Sequence, residues 1–234
     1  MPEPDRLEVA TALRAALDRF VTLVRGLDPG DRHRPVPALP GWDVGDAVAH
    51  VLTVLRRGTG DMRRSATAAE TAALNQTCLD EVAERDLAAL ADLVATEGAA
   101  AFANLDLLPV DLAFPFHGGT MSTVVPVSCV VVGELLVHGR DIATACDRDW
   151  PLADGEAALV LAGMAALMPA WRRADAEPGS VALRLDGLDL VIGDGPSTHV
   201  VEGRPADVLL AFPYGRVDVD DPGLLALAAA HQPV

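Results

Sequence analysis

Lysine is absent from this 234-residue chain, so all eighteen basic residues are arginine. That removes Schiff-base and lysine-base chemistry from consideration. With Ala, Val and Leu so frequent, it reads as coding bias and not as a functional choice. Cysteine is scarce. Cys78, Cys129 and Cys146 are odd in number and have no Cys-x-x-Cys spacing, which argues against a disulfide framework and against a thiolate zinc site. The expectation is a reducing, cytoplasmic compartment. The opening Met1-Pro-Glu-Pro-Asp-Arg6 lacks the apolar core of a signal segment, and the apolar stretch 124–132 is too short for a membrane span and is followed by charge. Positive charge is also in deficit: a net charge of −16 disfavours nucleic acid and anionic membrane as partners. A small-molecule ligand is left. There is no internal repeat and no long disordered linker.

What is present centres on Val130-Val-Val-Gly-Glu134-Leu-Leu-Val-His138-Gly-Arg-Asp141. Residues four apart on a helix share a face, about 5–6 Å apart at Cβ, so Glu134 and His138 can converge on one point. The rest of the run is apolar on nearly every side, the pattern of a buried helix. An ionisable pair buried there needs a partner or a metal ion to offset its desolvation. His50, in the middle of a second apolar helix, is the candidate third ligand.

Taken in order, residues 5–26 read as an amphipathic helix with Leu13, Leu17, Phe20 and Val24 at helical spacing. A Pro-rich loop, 29–40, precedes a helix capped by Asp43 and running to about residue 64, with Asp46 in its first turn. Residues 78–105 read as a third helix, 107–120 as a loop, and about 122–145 as a fourth helix with Pro126 near its start. Four such helices imply a bundle over residues 1–150. Beyond it, 155–171 reads as a helix, and 181–192 alternates at period two around Asp186-Gly187, a hairpin signal. Residues 198–201 read as a third strand, 205–212 as a short helix, 217–219 as a strand and 224–230 as a terminal helix. The expected fold class is α plus α+β, with a four-helix bundle followed by a small α+β domain over 151–234.

Two segments, and more weakly a third in the tail, carry a resemblance to a known family. Trp42-Asp-Val-Gly-Asp46-Ala-Val-Ala-His50-Val-Leu resembles the W-x-V-x-D-x-x-x-H-L segment of the DinB-like bundle in actinobacterial mycothiol-dependent maleylpyruvate isomerases, with Val51 in place of Leu. Gly133-Glu134-Leu-Leu-Val-His138-Gly-Arg-Asp141 is similar to that family's E-x-x-x-H-x-x-D segment. Ala206-Asp-Val-Leu-Leu-Ala-Phe-Pro-Tyr-Gly215-Arg216 resembles the A-D-L-L…G-R segment of its sterol-carrier-like C-terminal domain. The resemblance implies His50, Glu134 and His138 as ligands of a divalent metal, usually zinc, Arg216 as a catalytic residue, and mycothiol as thiol cosubstrate.

Two imidazoles and one carboxylate form an open, catalytic set of ligands, not a closed structural one. In the implied isomerase reaction a metal-held thiolate adds to the cis double bond of an enedioic keto acid such as maleylpyruvate. The new single bond rotates, and expulsion of the thiolate gives the trans product. Arg216 is expected to hold a substrate carboxylate, and Asp46 and Asp141 to orient imidazoles. The alternatives are thiol transfer to another electrophile, a metal-hydroxide hydrolase, and a non-catalytic metal- or ligand-binding module; the cofactor-binding residues are unknown, and a monomer and a homodimer are both open. Beside these stand plainer readings. Asp46 serves equally well at a helix start, Trp42 as a packing anchor, and Cys129 and Cys146 as core or helix-end fillers. His33 and His117 are expected to be exposed loop residues, although His117 could line the mouth of the site. His199 and His231 carry no signal.

Overall fold

The computed structural model describes residues 4–231, so Met1–Glu3 of the opening segment read above lie outside it. α1 (Arg6–Arg25) begins at Asp5, whose side chain accepts from the backbone N–H of Leu7 and Glu8, and ends at Gly26. α2 (Val44–Thr59) starts in a reciprocal capping box between Asp43 and Asp46. It stops at Gly60, short of the expected residue 64, because Gly58 and Gly60 remove the side chains that would carry the helix on.

The expected third helix is two helices. α3 (Thr71–Asp80) and α4 (Leu87–Leu107) are separated by a break, and Asp86 caps the second by accepting from Ala89 N–H. α5 (Val124–Ala145) carries the Glu134/His138 stretch and is buried along most of its length. α1, α2, α4 and α5 make the bundle: α1 and α2 each pack on both α4 and α5. The loop before α5 holds a two-residue strand pair, β1 (Phe114–Pro115) and β2 (Met121–Ser122), bracketing a turn at His117–Gly119.

Past residue 150 the expected single helix is again two, α6 (Asp154–Ala165) and the short α7 (Met168–Trp171). β3 (Gly179–Leu185) and β4 (Leu188–Asp194) form the expected hairpin, with Leu185 opposite Leu188. β5 (Ser197–Gly203) runs parallel to β3, so the sheet order is β4-β3-β5. α8 (Pro205–Ala211) packs on α6, and α9 (Pro222–Ala230) on β5 and β3. Residues 217–219 are not a strand; they belong to an irregular segment between α8 and α9.

The architecture is therefore the expected helical bundle with a small α+β portion. α6 joins them, packing on α5, α8 and β4. One apolar core runs from Val9 and Phe20 through Leu135 and Leu136 to Leu183 and Leu209, each such side chain contributing about 1.5–3 kcal/mol when fully buried. No helix among the described residues is long and apolar enough to cross a membrane.

Candidate active site

α2 and α5 lie side by side, which brings His50 against Glu134 and His138. Glu134 Oε2 is 3.3 Å from His50 Nε2 and 3.2 Å from His138 Nε2. The two imidazoles stand edge to face with centroids 5.0 Å apart. All three residues are buried, and one donor atom from each lies within 4.8 Å of the others. Donors on a tetrahedral ion with bonds of about 2.0–2.1 Å sit about 3.3 Å apart. The carboxylate-to-imidazole separations thus already suit a zinc-sized cation, and both rings present Nε2 inward. By geometry and donor chemistry these residues fit a divalent metal.

Electrostatically the cluster is a buried ion pair. Burial works against charge on Glu134, yet hydrogen bonding to His138 and His50 holds its carboxyl well below the usual range. Burial alone would lower His138, but Asp141 and Glu134 lift it to about 9. His50 is lowered by burial, which Glu134 only partly offsets. The site therefore holds a carboxylate against imidazoles in a desolvated setting.

The tail of the chain completes the surroundings. Tyr214 donates its hydroxyl to Glu134 Oε1 at 3.2 Å, and burial, with the neighbouring Glu134 charge, keeps the phenol well above its ordinary pKa. Gly133 is the reason Tyr214 fits: a Cβ there would lie 2.6 Å from the Tyr214 hydroxyl. Arg216 is placed by Gly215, which takes φ +61°. Its Nε donates to both oxygens of Asp141, at 3.2 and 3.0 Å, and its Nη1 to Tyr214 O at 2.7 Å. Asp141 in turn lies 3.3 Å from His138 Nδ1.

Asp46 is elsewhere. One oxygen accepts from Asp43 N–H and the other from Arg85 Nε, so it serves the helix start and not an imidazole. His50 Nδ1 and His138 Nδ1 are both buried with no hydrogen-bond partner among the described residues, the latter although Asp141 lies 3.3 Å away.

His50, Glu134, His138, Tyr214 and Arg216 form the floor of a cavity of about 390 Å³. Trp42 lines it beside His50, with ring centroids 5.0 Å apart, and so borders ligand space as well as packing. Val54, Val127, Val130 and Val131 supply apolar wall. His117, expected at the surface, is buried and lines the cavity; Gly118 and Gly119, with φ +74° and +73°, turn it inward. Reading the sequence missed Tyr214, Arg57 and Arg64, all of which line this space. A signal existed for Arg57, which follows His50 by seven residues on the same helical face. None existed for Tyr214, which depends on the tail folding back. His33 is exposed, as expected, and His231 is buried beneath Leu227 O.

Comparison with known proteins agrees with this fold. The family described as "Mycothiol maleylpyruvate isomerase N-terminal domain" matches residues 13–143, more than half of the chain. Two solved structures are similar in fold. A crystal structure of a histidine-to-alanine mutant of the mycothiol-dependent maleylpyruvate isomerase superposes with TM-score 0.61 at 13% identity, covering 95% of this chain and 99% of that one. A second structure of the mycothiol-dependent maleylpyruvate isomerase gives TM-score 0.54 at 14% identity, covering 94% of each chain. No curated protein matches the chain.

Proposed function

The chain belongs to the family of the mycothiol maleylpyruvate isomerase N-terminal domain, and from that premise we propose a thiol-dependent isomerase acting on a small unsaturated keto acid such as maleylpyruvate, with mycothiol as the thiol. The observation that carries this reading is the convergence of His50, Glu134 and His138 on the floor of an apolar cavity. Residues 1–150 would be the metal-binding bundle. Residues 151–234 would be the α+β unit that supplies Tyr214 and Arg216.

His50 Nε2, His138 Nε2 and Glu134 Oε2 would hold the cation, which we take to be zinc. When bound, such an ion supplies Lewis acidity that favours an ionised thiol at neutral pH. The protein's own groups then have distinct tasks. Tyr214 fixes one oxygen of Glu134, leaving the other for the site. Asp141, itself neutralised by Arg216, faces the outer nitrogen of His138 and holds its ring orientation. The valines of α5 with Trp42 and Val54 exclude water from the reacting atoms. In the reaction a thiolate adds to one alkene carbon, and the electron pair moves onto the conjugated carbonyl. The former double bond turns, and return of the pair expels the thiolate to leave the trans isomer. No net proton transfer is needed, which agrees with a site poor in uncommitted general bases.

Metal content and turnover test this. Purified protein should contain about one equivalent of zinc, lost in His50→Ala, and should isomerise maleylpyruvate only when mycothiol is present. Full metal retention by His50→Ala, or turnover indifferent to the thiol, would contradict the assignment.

A further inference from the structure

The same cavity has a second polar region that the isomerase chemistry leaves unassigned. Arg57, about 10 Å further along α2 from His50 at 1.5 Å per residue, is 8% exposed and lines the cavity with Arg64 and His117. Among the described residues neither guanidinium pairs with a carboxylate. Asp61, the acid close by in sequence, is taken by Arg63 through both of its oxygens. In a chain of net charge −16, two inward cations left without an acid are out of keeping. Burying such a charge is costly unless something pairs with it.

The donors show what is missing. Arg57 Nε reaches Thr53 O, Nη2 reaches Thr53 Oγ1, and Nη1 faces His117 Nε2 at 3.0 Å. A guanidinium has five N–H groups, so one remains on each terminal nitrogen, a pair suited to the two oxygens of one carboxylate. Arg64 spends its terminal nitrogens on the backbone carbonyls of Asp61, Arg63 and Arg57, while its Nε is buried and without a partner among the described residues. His117 lies against this group: its Nε2 is 3.0 Å from Arg57 Nη1, and its Nδ1 is 3.2 Å from Ser65 N and 3.1 Å from Ser65 Oγ.

We infer that Arg57, Arg64 and His117 form a carboxylate-binding subsite, which holds the end of the substrate remote from the His50–Glu134–His138 cluster. The inference rests on the proposed function for which atoms react, but not for anion binding itself. It moves the task expected of Arg216, whose Nε is committed to Asp141, to Arg57. A substrate with a carboxylate beyond its reacting double bond then spans from the floor of the cavity to this cluster.

The test is calorimetric titration of the as-purified protein with maleate, with no thiol and no turnover. Neutral maleamide and inorganic phosphate serve as controls. Maleate should bind and maleamide should not. Arg57→Met should weaken maleate binding at least tenfold and Arg64→Met several-fold, while His50→Ala, lacking the cation, keeps most of it. Arg64, only half buried, provides the second variant should Arg57→Met melt early. The inference is overturned if wild type fails to bind maleate, if both arginine variants bind it like wild type, if His50→Ala alone abolishes binding, or if phosphate binds equally well. Absence of thiol-dependent turnover would sink the proposed reaction and leave this binding result standing.

Discussion

Tyr214 and Glu134, eighty residues apart in sequence, meet in a hydrogen bond of 3.2 Å from the phenol to Oε1. Glu134 thereby divides its two oxygens between the tail and the imidazoles. A bond to an ionised acceptor contributes about 1.5–3 kcal/mol, and a group supporting a metal ligand typically changes metal affinity about 10–100-fold. Tyr214→Phe should therefore lower the unfolding free energy measured in urea by an amount in that range and weaken zinc retention against a chelator by about tenfold or more. A variant matching wild type in both measurements would show that the contact is not used.

Gly133 couples to the same contact. An added Cβ would stand 2.6 Å from the Tyr214 hydroxyl but 3.5 Å from its ring carbon, and 2.9 Å from Val160 Cγ1. Overpacking of this kind costs about 1–3 kcal/mol. Gly133→Ala should destabilise the wild type in that range and should cost less in the Tyr214→Phe background, where the clashing oxygen is gone. The residual cost reports Val160. A double-mutant cycle by denaturant unfolding measures the difference, and equal costs in both backgrounds would refute the coupling.

The sequence carried the bundle and the three-residue cluster because both rest on local periodicity. Glu134 and His138 show in an apolar run at spacing four, and His50 is an imidazole on an oily helix face. The break at 81–86 was hidden because Leu79, Val82, Leu87 and Leu90 continue an apolar stripe across it, and all four are buried; Asp86, inside the expected helix, is the cap of α4. Residues 217–219 alternate like a strand, but Val217 is largely exposed and the segment has no strand partner. Asp46, readable as an orienting carboxylate or a cap, is a cap, and a single sequence offers no means of choosing between them. Tyr214 became visible only when the tail folded back against Glu134.

Arg216 and Asp141 make the next prediction. The Asp141 side chain has no exposure, and its charge is met by Arg216 Nε at 3.0 Å. Removing one partner of a buried pair costs about 3–5 kcal/mol, because the other charge stays behind uncompensated. Arg216→Met should destabilise the protein by less than that but by more than about 1 kcal/mol, because His138 Nδ1 still faces Asp141 at 3.3 Å. Asp141→Asn added to it should restore part of the loss, since the stranded charge is then gone. A loss under about 1 kcal/mol for Arg216→Met would mean that the carboxylate is solvated after all.

The last prediction concerns acid. Burial, then the nearby Arg57 and Arg64 charges, push His117 down to about 4 from an ordinary 6.5, with Glu134 opposing weakly. Ser65 faces its other nitrogen through both backbone N–H and hydroxyl. Above about pH 6.5 the ring is neutral whether the chain is folded or not, and its full contribution is present. Between 6.5 and 4 the unfolded chain takes up a proton that the folded site refuses, so the unfolded state binds more protons and stability falls as pH falls. At about 1.36 kcal/mol per pH unit, this one residue removes at most about 3 kcal/mol across that window. Carboxylates elsewhere also titrate there, so the comparison is with His117→Gln, which has no proton to gain. Unfolding free energies measured from pH 8 to pH 4 should fall more steeply with acid in wild type than in the variant, and the two curves should run parallel above pH 7. Parallel curves throughout would place His117 in an environment that accepts the charge, and with it would go the picture of a cavity wall already crowded with cations.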